Sequence, residues 1–406
     1  MNQLVSHNLS LVELFDSIFD AHRLKEMVDL DSIDSVLRAC LSLNDMKEAG
    51  SFFTGQALAT VAVSSFQKPI TKNSVILDPT CGAGNLLIEC SRKLGIRETL
   101  SETLTEWGGV LRGYDIYPSF VEAAKLRIIL EALSRGAKKD CSLDLALSFL
   151  SDIRIADAMS IDNLALNDVT HIIMNPPFTL WESPKNNYWN TGKVNAAGVV
   201  FDFYLRNLPV GCDVVAILPD VLRSGSRYCN WRNFINTRLN AKCQIYGQFS
   251  LKADVDVFLL SGIISDVNTV NIKWFPDTIT DGKILSDEYD VCIGPLVAYR
   301  DLEVGESYPY IHSKNAPAWG IIKTFLEYRK FSGRVIQGPF VVIRRTSSPS
   351  DKHRVIATVI SSREMIAVEN HMIVIKPKKV TIKNCNKLVK ILKSQKINDF
   401  LNERIR

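Results

Sequence analysis

The chain has no pair of cysteines at metal-site or redox-site spacing. Its nine cysteines stand at 40, 81, 90, 141, 212, 229, 243, 292 and 385, and no two are separated by only two residues. That excludes zinc-ribbon and thioredoxin-type sites. An odd number of cysteines with no secretory pattern reads as reduced, mostly buried thiols in a cytoplasmic protein. Residues 1–10 lack a basic start followed by an apolar run, so no signal peptide is expected. The longest apolar runs, such as Val255–Ile264, reach about half of the ~20 residues a membrane helix needs, so a soluble protein without a membrane partner is expected. Internal repeats and low-complexity segments are also lacking.

What remains is a chain of 406 residues, 46% hydrophobic and 23% charged, long enough for two or three globular domains. Its net charge of +4 says little until its distribution is read. Residues 330–406 hold 17 Lys+Arg against 5 Asp+Glu, a net of +12, which leaves −8 for residues 1–329. A segment so basic suits a phosphate backbone.

The hydrophobic pattern divides the chain into three. Residues 1–44 carry apolar residues at helical spacing (Leu11, Leu14, Phe15, Ile18, Phe19, then Ile33, Val36, Leu37, Cys40, Leu41) and predict two amphipathic helices. Residues 45–265 alternate short apolar runs with helical stretches. Strands are expected at Val75–Leu77, Val110–Asp115, Arg154–Asp157, His171–Met174 and Asp213–Leu218, with further strands at Ile245–Phe249 and Val255–Ile264. This alternation predicts an α/β, doubly wound parallel sheet, whose ligands bind at the carboxyl ends of the strands. Residues 266–406 turn to short β-rich runs and a final helix at about Cys385–Ile405, a smaller α+β domain.

Four strand ends carry chemistry, grouped in three sites. The first is Asp78-Pro79-Thr80-Cys81-Gly82-Ala83-Gly84-Asn85, an acid followed by a Gly-x-Gly turn and a helix start. The turn lets backbone approach a ligand closely, although alone it also marks an ordinary tight turn. Leu87 replaces the third glycine of the dinucleotide fingerprint, and an acid ahead of the turn repels phosphate, so a ligand bearing an ammonium group fits better. Asp115 ends the next strand and suits a ribose diol, while Asp157 suits an adenine amino group. Singly, each acid reads equally as a helix cap or a solvated residue.

The third site is Asn175-Pro176-Pro177-Phe178. Consecutive prolines fix φ twice and remove two donors, leaving rigid acceptors for a planar amino group. Asn175 Oδ1 and the Pro176 carbonyl supply two such acceptors, and the Phe178 ring offers a stacking face. A rigid turn with one buried Phe reads the same tetrapeptide without chemistry. The polar stretch that follows, residues 179–198 with Trp181, Lys185, Tyr188, Trp189 and Lys193, reads as a loop that moves over the target.

Taken in order, Asp78–Asn85 and Asn175–Phe178 resemble the motifs of amino-directed, S-adenosylmethionine-dependent DNA methyltransferases. The upstream Gly50-Ser51-Phe52-Phe53-Thr54-Gly55 resembles the family's Phe-Phe-Thr-Pro element. The order resembles the γ arrangement and the modification components of type I and type II restriction-modification systems. The resemblance covers roughly residues 45–265 and implies a Rossmann-like methyltransferase sheet. Its departures are Ala83 and Gly55, neither of which removes a functional side chain. It implies transfer of a methyl group to the N6 amino group of adenine in duplex DNA, with the base flipped out and no metal required. It assigns cofactor binding to Phe53, Thr54, Asp78, Pro79, Thr80, Cys81, Gly82, Gly84, Asn85, Asp115, Ile116, Asp157, Ala158 and Asn175, and catalysis to Asn175, Pro176, Pro177 and Phe178.

The basic region 266–406 then reads as target recognition. Arg344, Arg345, Ser347, Lys352 and Arg354 are the expected DNA contacts, because Arg, Lys and Ser suit phosphate and base edges. Lys387, Lys390, Lys393 and Lys396 read either as a DNA contact or as a solvated helix face. A restriction endonuclease or specificity subunit is an implied partner. N4-cytosine, RNA or protein-glutamine methylation, or a DNA-binding modification subunit that needs a partner for activity, are the alternatives.

Overall fold

The computed structural model describes residues 2–17, 21–33, 54–185, 188–189, 191–250, 253–265, 272–275, 282–346 and 352–402. The chain forms two compact units, Met1–Trp274 and Phe275–Arg406.

The first unit is built on strands β1 (Ile76–Asp78), β2 (Leu111–Asp115), β3 (Ile153–Ile155), β4 (His171–Met174), β5 (Leu180–Glu182), β6 (Lys193–Asn195), β7 (Asp213–Pro219), β8 (Leu239–Ser250) and β9 (Ala253–Ile264). Seven of them form one sheet in the order β3-β2-β1-β4-β7-β9-β8. The five strands from β3 to β7 run parallel, and β9 runs antiparallel to both β7 and β8. β1, β4 and β7 are buried along their whole length, as expected where helices cover both faces of a parallel sheet. Alternating side chains feed two cores. Ile76 and Ile173 join one, while their neighbours Leu77, Ile172 and Met174 join the other. The chain leaves β1 toward β2 and β3 on one side and returns to β4 and β7 on the other. The crevice at the carboxyl ends of β1 and β4 is therefore the switch point of the sheet.

The crossover helices fill these layers. Asn85–Ser91 and Pro118–Ser134 pack on the first face, the latter entered through Pro118 at its first turn. Ala196–Asn207 packs on the second face, its start capped by Asn195, whose side chain accepts from the Ala197 N–H at 3.0 Å. The interval between Asp78 and Asp115 is long because it holds an additional helix, Leu100–Val110, whose Thr99–Glu102 capping box sets its start. At the N-terminus, helices Asn2–Asp16 and Ala21–Val28 pack on Pro118–Ser134. The first overlaps the expected amphipathic stretch, the second does not, and the expected helix through residues 34–41 lies outside the described residues. The stretch read as a polar loop after Phe178 forms a short antiparallel hairpin, β5–β6.

The second unit contains β10 (Tyr289–Ile293), β11 (Glu306–Ile311), β12 (Ile321–Ile322), β13 (Tyr328–Phe331), β14 (Ile336–Gln337), β15 (Phe340–Arg344), β16 (Ala357–Ile360), β17 (Met365–Val368) and β18 (Met372–Pro377). A five-stranded sheet, β10-β18-β15-β16-β12, carries helix Ile382–Leu392 on one face through Cys385 and Leu388 against Val341, Val359 and Ile375. Its other face places Phe340, Val342 and Val374 against Ile311, Ile366 and Val368 from the sheet β13-β11-β17-β14. The single final helix expected from sequence is two, Ile382–Leu392 and Gln395–Asn402. All described cysteines are free, and no helix among the described residues is long and apolar enough to cross a membrane.

Candidate active site

β1 delivers Asp78 to the crevice with only 1% of its surface exposed. The Thr80 N–H donates to Asp78 Oδ1 at 3.1 Å, and the Cys81 N–H donates to the Tyr114 carbonyl at 2.9 Å, clipping the turn onto β2. The Gly82 N–H donates to Asp115 Oδ2 at 3.1 Å, so the turn and the end of β2 hold one another. Gly84 adopts φ +83°, and a Cβ there would meet the Ala124 Cβ at 3.0 Å. This glycine serves the left-handed turn and the close approach of a helix rather than the cleft itself.

Burial governs the electrostatics. It pushes the Asp78 carboxyl up to about 8, opposed by the Thr80 N–H and reinforced by Asp115. Burial likewise raises Asp115 to about 6, opposed by backbone N–H groups including those of Tyr117 and Gly82. Two carboxyls thus end adjacent parallel strands in a setting that favours a positively charged occupant. Burial pushes the Cys81 thiol well above its ordinary value, so it is no nucleophile at neutral pH.

Next to Asp115, Ile116 is 56% exposed although apolar, and it borders the cleft, where it offers a face to a planar group. Asp157, after β3, accepts from the Met159 N–H at 2.9 Å and the Ser160 hydroxyl at 3.2 Å. At the end of β4, Asn175 Nδ2 donates to the Thr54 hydroxyl at 3.0 Å. Phe178 is half-buried, edge-on to Phe249 with centroids 5.8 Å apart, and its carbonyl accepts from Asn195 Nδ2 at 3.1 Å.

These groups border one open cleft. Thr54, Asp78, Pro79, Thr80, Cys81, Gly82, Asn85, Asp115, Ile116, Asp157, Ala158, Asn175 and Pro177 all line it, which brings thirteen residues singled out from sequence into one place. Gly84, Pro176 and Phe178 are not among its lining residues, and Phe53 lies outside the described residues. The sequence reading missed Trp181 as a wall residue. It stands on β5 and lines the cleft, and its position three residues beyond Phe178 was the available signal. Arg127 was also missed. A single arginine in the otherwise apolar stretch 126–130 is fully buried and was legible as an anomaly.

The cleft fits S-adenosylmethionine by its donor set. Acids suit the ammonium and the sulfonium, and Asp115 suits a diol. Thr80 Oγ1, beside Asp78, is buried with no hydrogen-bond partner among the described residues, which is the signature of a group awaiting a polar ligand.

In the second unit, Arg345 and Lys352 are exposed and Arg344 is half-buried. Arg354 is instead 8% exposed, and its Nε donates to Asn402 Oδ1 at 2.6 Å while its backbone N–H donates to Asn398 Oδ1. Ser347 lies outside the described residues. Of the lysine series, Lys387 pairs with Glu288 at 3.3 Å, and Lys393 sits 5.8 Å from the centre of the Trp319 ring.

Residues 36–201 match the N-6 DNA methylase family. The match spans Gly50–Gly55, the Asp78–Asn85 turn and the Asn-Pro-Pro-Phe turn. No curated protein matches the chain in sequence. Among solved structures, the type IIL restriction-modification enzyme MmeI, in complex with DNA, superposes with a TM-score of 0.50 at 10% identity, covering 86% of this chain and 65% of that one. The type IIG restriction endonuclease BpuSI gives 0.45 at 13% identity, covering 90% and 57%. The type I EcoKI M protein gives 0.38 at 15% identity, covering 66% and 56%. The chain thus spans little more than half the length of the latter two. At these identities the likeness is one of fold alone, a mostly parallel methyltransferase sheet, to which this chain adds a β-rich region.

Proposed function

We propose that the protein is a DNA methyltransferase that uses S-adenosylmethionine and modifies the N6 amino group of adenine. The observation that carries this reading is the meeting, in one cleft, of the Asp78–Asn85 turn with Asn175 and Pro177 at the neighbouring strand end. The cofactor supplies an electrophilic methyl group on a sulfonium. Asp78 and Thr80 hold its amino-acid end, Asp115 its ribose, and Asp157 its adenine, with Ile116 against the ring. A paired amino group inside a duplex is out of reach of a recessed cleft, so the target base is flipped out. Asn175 Oδ1 and the Pro176 carbonyl accept its amino hydrogens and direct the nitrogen lone pair at the methyl group. Holding the two reactants together supplies much of the rate enhancement.

The match to N-6 DNA methylases and the fold shared with restriction-modification enzymes support the DNA substrate. The +12 charge of residues 330–406 supports DNA recognition by region 266–406. A restriction endonuclease or specificity subunit acting beside it belongs to the same proposal.

Incubation with mixed DNA sequences and labelled cofactor, followed by nucleoside analysis and single-molecule mapping, tests the reading. N6-methyladenine at a defined sequence is expected, and Asn175→Ala lowers transfer by about 10²-fold or more while cofactor binding persists. N4-methylcytosine, or label in RNA alone, overturns the adenine-in-DNA assignment. Undiminished transfer by Asn175→Ala overturns the site.

A further inference from the structure

Behind the cleft runs a connected set of hydrogen bonds that none of the motif assignments uses. Arg127 is fully buried on helix Pro118–Ser134. Its Nη1 donates to Asn85 Oδ1 at 2.6 Å and to the Ala83 carbonyl at 2.8 Å, and its Nη2 donates to the Asp29 carbonyl at 3.1 Å. Asn85, 3% exposed, turns its Nδ2 to two further carbonyls, Leu30 at 2.9 Å and Thr54 at 2.8 Å. Thr54 is also 3% exposed, and its hydroxyl receives the Asn175 amide. Asp31 adds a second tie, its Oδ1 accepting from the Gln56 N–H at 3.0 Å. The carbonyls of Asp29 and Leu30 are thereby joined through Arg127, Asn85 and Thr54 to the side chain at the end of β4.

The central links, from Arg127 to Asn85 and Ala83 and from Asn85 to Leu30 and Thr54, are buried, and this arrangement carries a physical cost that packing alone would not need. An arginine at zero exposure loses its hydration, and burial pulls its pKa down to about 9. Its guanidinium is held by carbonyls and one amide oxygen rather than by a contacting carboxylate, so its role is to orient neutral groups. The amide of Asn85 can receive Arg127 and donate to two carbonyls only one way round. Thr54 is held by its carbonyl and stands with Oγ1 3.0 Å from Asn175 Nδ2, so in this arrangement the Asn175 Oδ1 faces away from Thr54.

We infer that Thr54 and Arg127 are positioning residues for Asn175, and that the segment 29–31 is the anchor against which this orientation is set. The inference rests on the reading of Asn175 as the acceptor for the target amino group. Residues 29–31 lie ahead of the family-matched region, so the N-terminal helices become part of the catalytic apparatus rather than an appendage.

The test uses the full chain. Thr54→Val removes the acceptor at nearly constant shape, and Thr54→Ser keeps it. Thr54→Val is expected to lower kcat about tenfold with the cofactor KM changed less than about threefold, and Thr54→Ser to restore kcat to within about threefold. A raised KM with unchanged kcat overturns the inference, because it makes Thr54 a cofactor contact only. Arg127→Lys, which keeps charge and helix, is expected to lower kcat. Combined with Thr54→Val it should add little, because both break the same chain of bonds, and a fully multiplicative loss overturns the relay. The orientation is also read without turnover. The Asn175 side-chain amide resonance, identified by its loss in Asn175→Asp, is expected to shift in Thr54→Val and in Arg127→Lys and to return in Thr54→Ser. An unmoved resonance overturns the inference even if the chain methylates no DNA, whereas a moved resonance with no methyl transfer by the wild-type chain removes only the functional reading.

Discussion

Asp78 and Asp115 end neighbouring parallel strands, and the charge on Asp115 helps push the Asp78 carboxyl up to about 8. A carboxyl raised in the folded chain holds its proton more tightly there than when unfolded. The folded state is therefore favoured below the ordinary carboxylate range, and this advantage is lost as pH rises toward 8. A cationic ligand favours the ionised form, so its binding near pH 7 displaces a proton from Asp78. Affinity for S-adenosylmethionine is expected to rise from pH 6 to pH 8 and then level off. Calorimetry in two buffers of different ionisation enthalpy checks the proton release. Asp78→Asn should raise the thermal midpoint of the cofactor-free protein at pH 8 while weakening cofactor binding at least tenfold, and equal midpoints would refute the burial argument.

Gly84→Ala tests the turn itself. The residue would carry a Cβ at φ +83° and 3.0 Å from the Ala124 Cβ, with the Ala124 Cα at 3.1 Å. A cost of about 1–3 kcal/mol is expected from the strained backbone alone. Thermal or urea denaturation measures it, and a variant as stable as the parent would show that helix Pro118–Ser134 yields freely.

Trp181 is 36% exposed on the wall of the cleft. Cofactor binding is expected to change the intrinsic fluorescence, and Trp181→Phe to remove most of that change. An unaltered response in Trp181→Phe would place the reporting tryptophan elsewhere.

The basic residues of the second unit divide by exposure. Arg345→Ala and Lys352→Ala are expected to weaken DNA binding across sequences and to lower the salt slope by about one each, at unchanged thermal midpoint. Arg354→Ala is expected to act differently. It removes the bond to Asn402 and lowers the midpoint of the second unit. Titration of DNA over a range of salt concentrations, paired with thermal melts, separates the two classes.

The strand–helix alternation, the acids at strand ends and the Asn-Pro-Pro-Phe turn were legible because each is a local property. An apolar run long enough to span a sheet, followed by Asp78 or Asn175, needs no knowledge of its neighbours. Other features depend on partners distant in sequence. Nothing near Arg127 announces that it faces the carbonyl of Asp29, about a hundred residues away along the chain. Nothing near Arg354 tells that Asn398 and Asn402 take it up. The reading of residues 179–198 as a loop missed its two ends for a related reason, because a three-residue pairing such as β5–β6 is too short to register against Asn and Gly.

Sequence alone therefore determined the chemistry on offer: an acid, a glycine turn, a second acid and a rigid amide turn, in that order along an α/β chain. Tertiary structure decided what those groups do to one another. Only folding buries Asp78 and raises its pKa, ties the Asn175 amide to Thr54, and turns one basic residue inward while leaving others exposed. Burial and hydrogen-bond direction arise between segments, and the sheet order β3-β2-β1-β4-β7-β9-β8 is what brings those segments together.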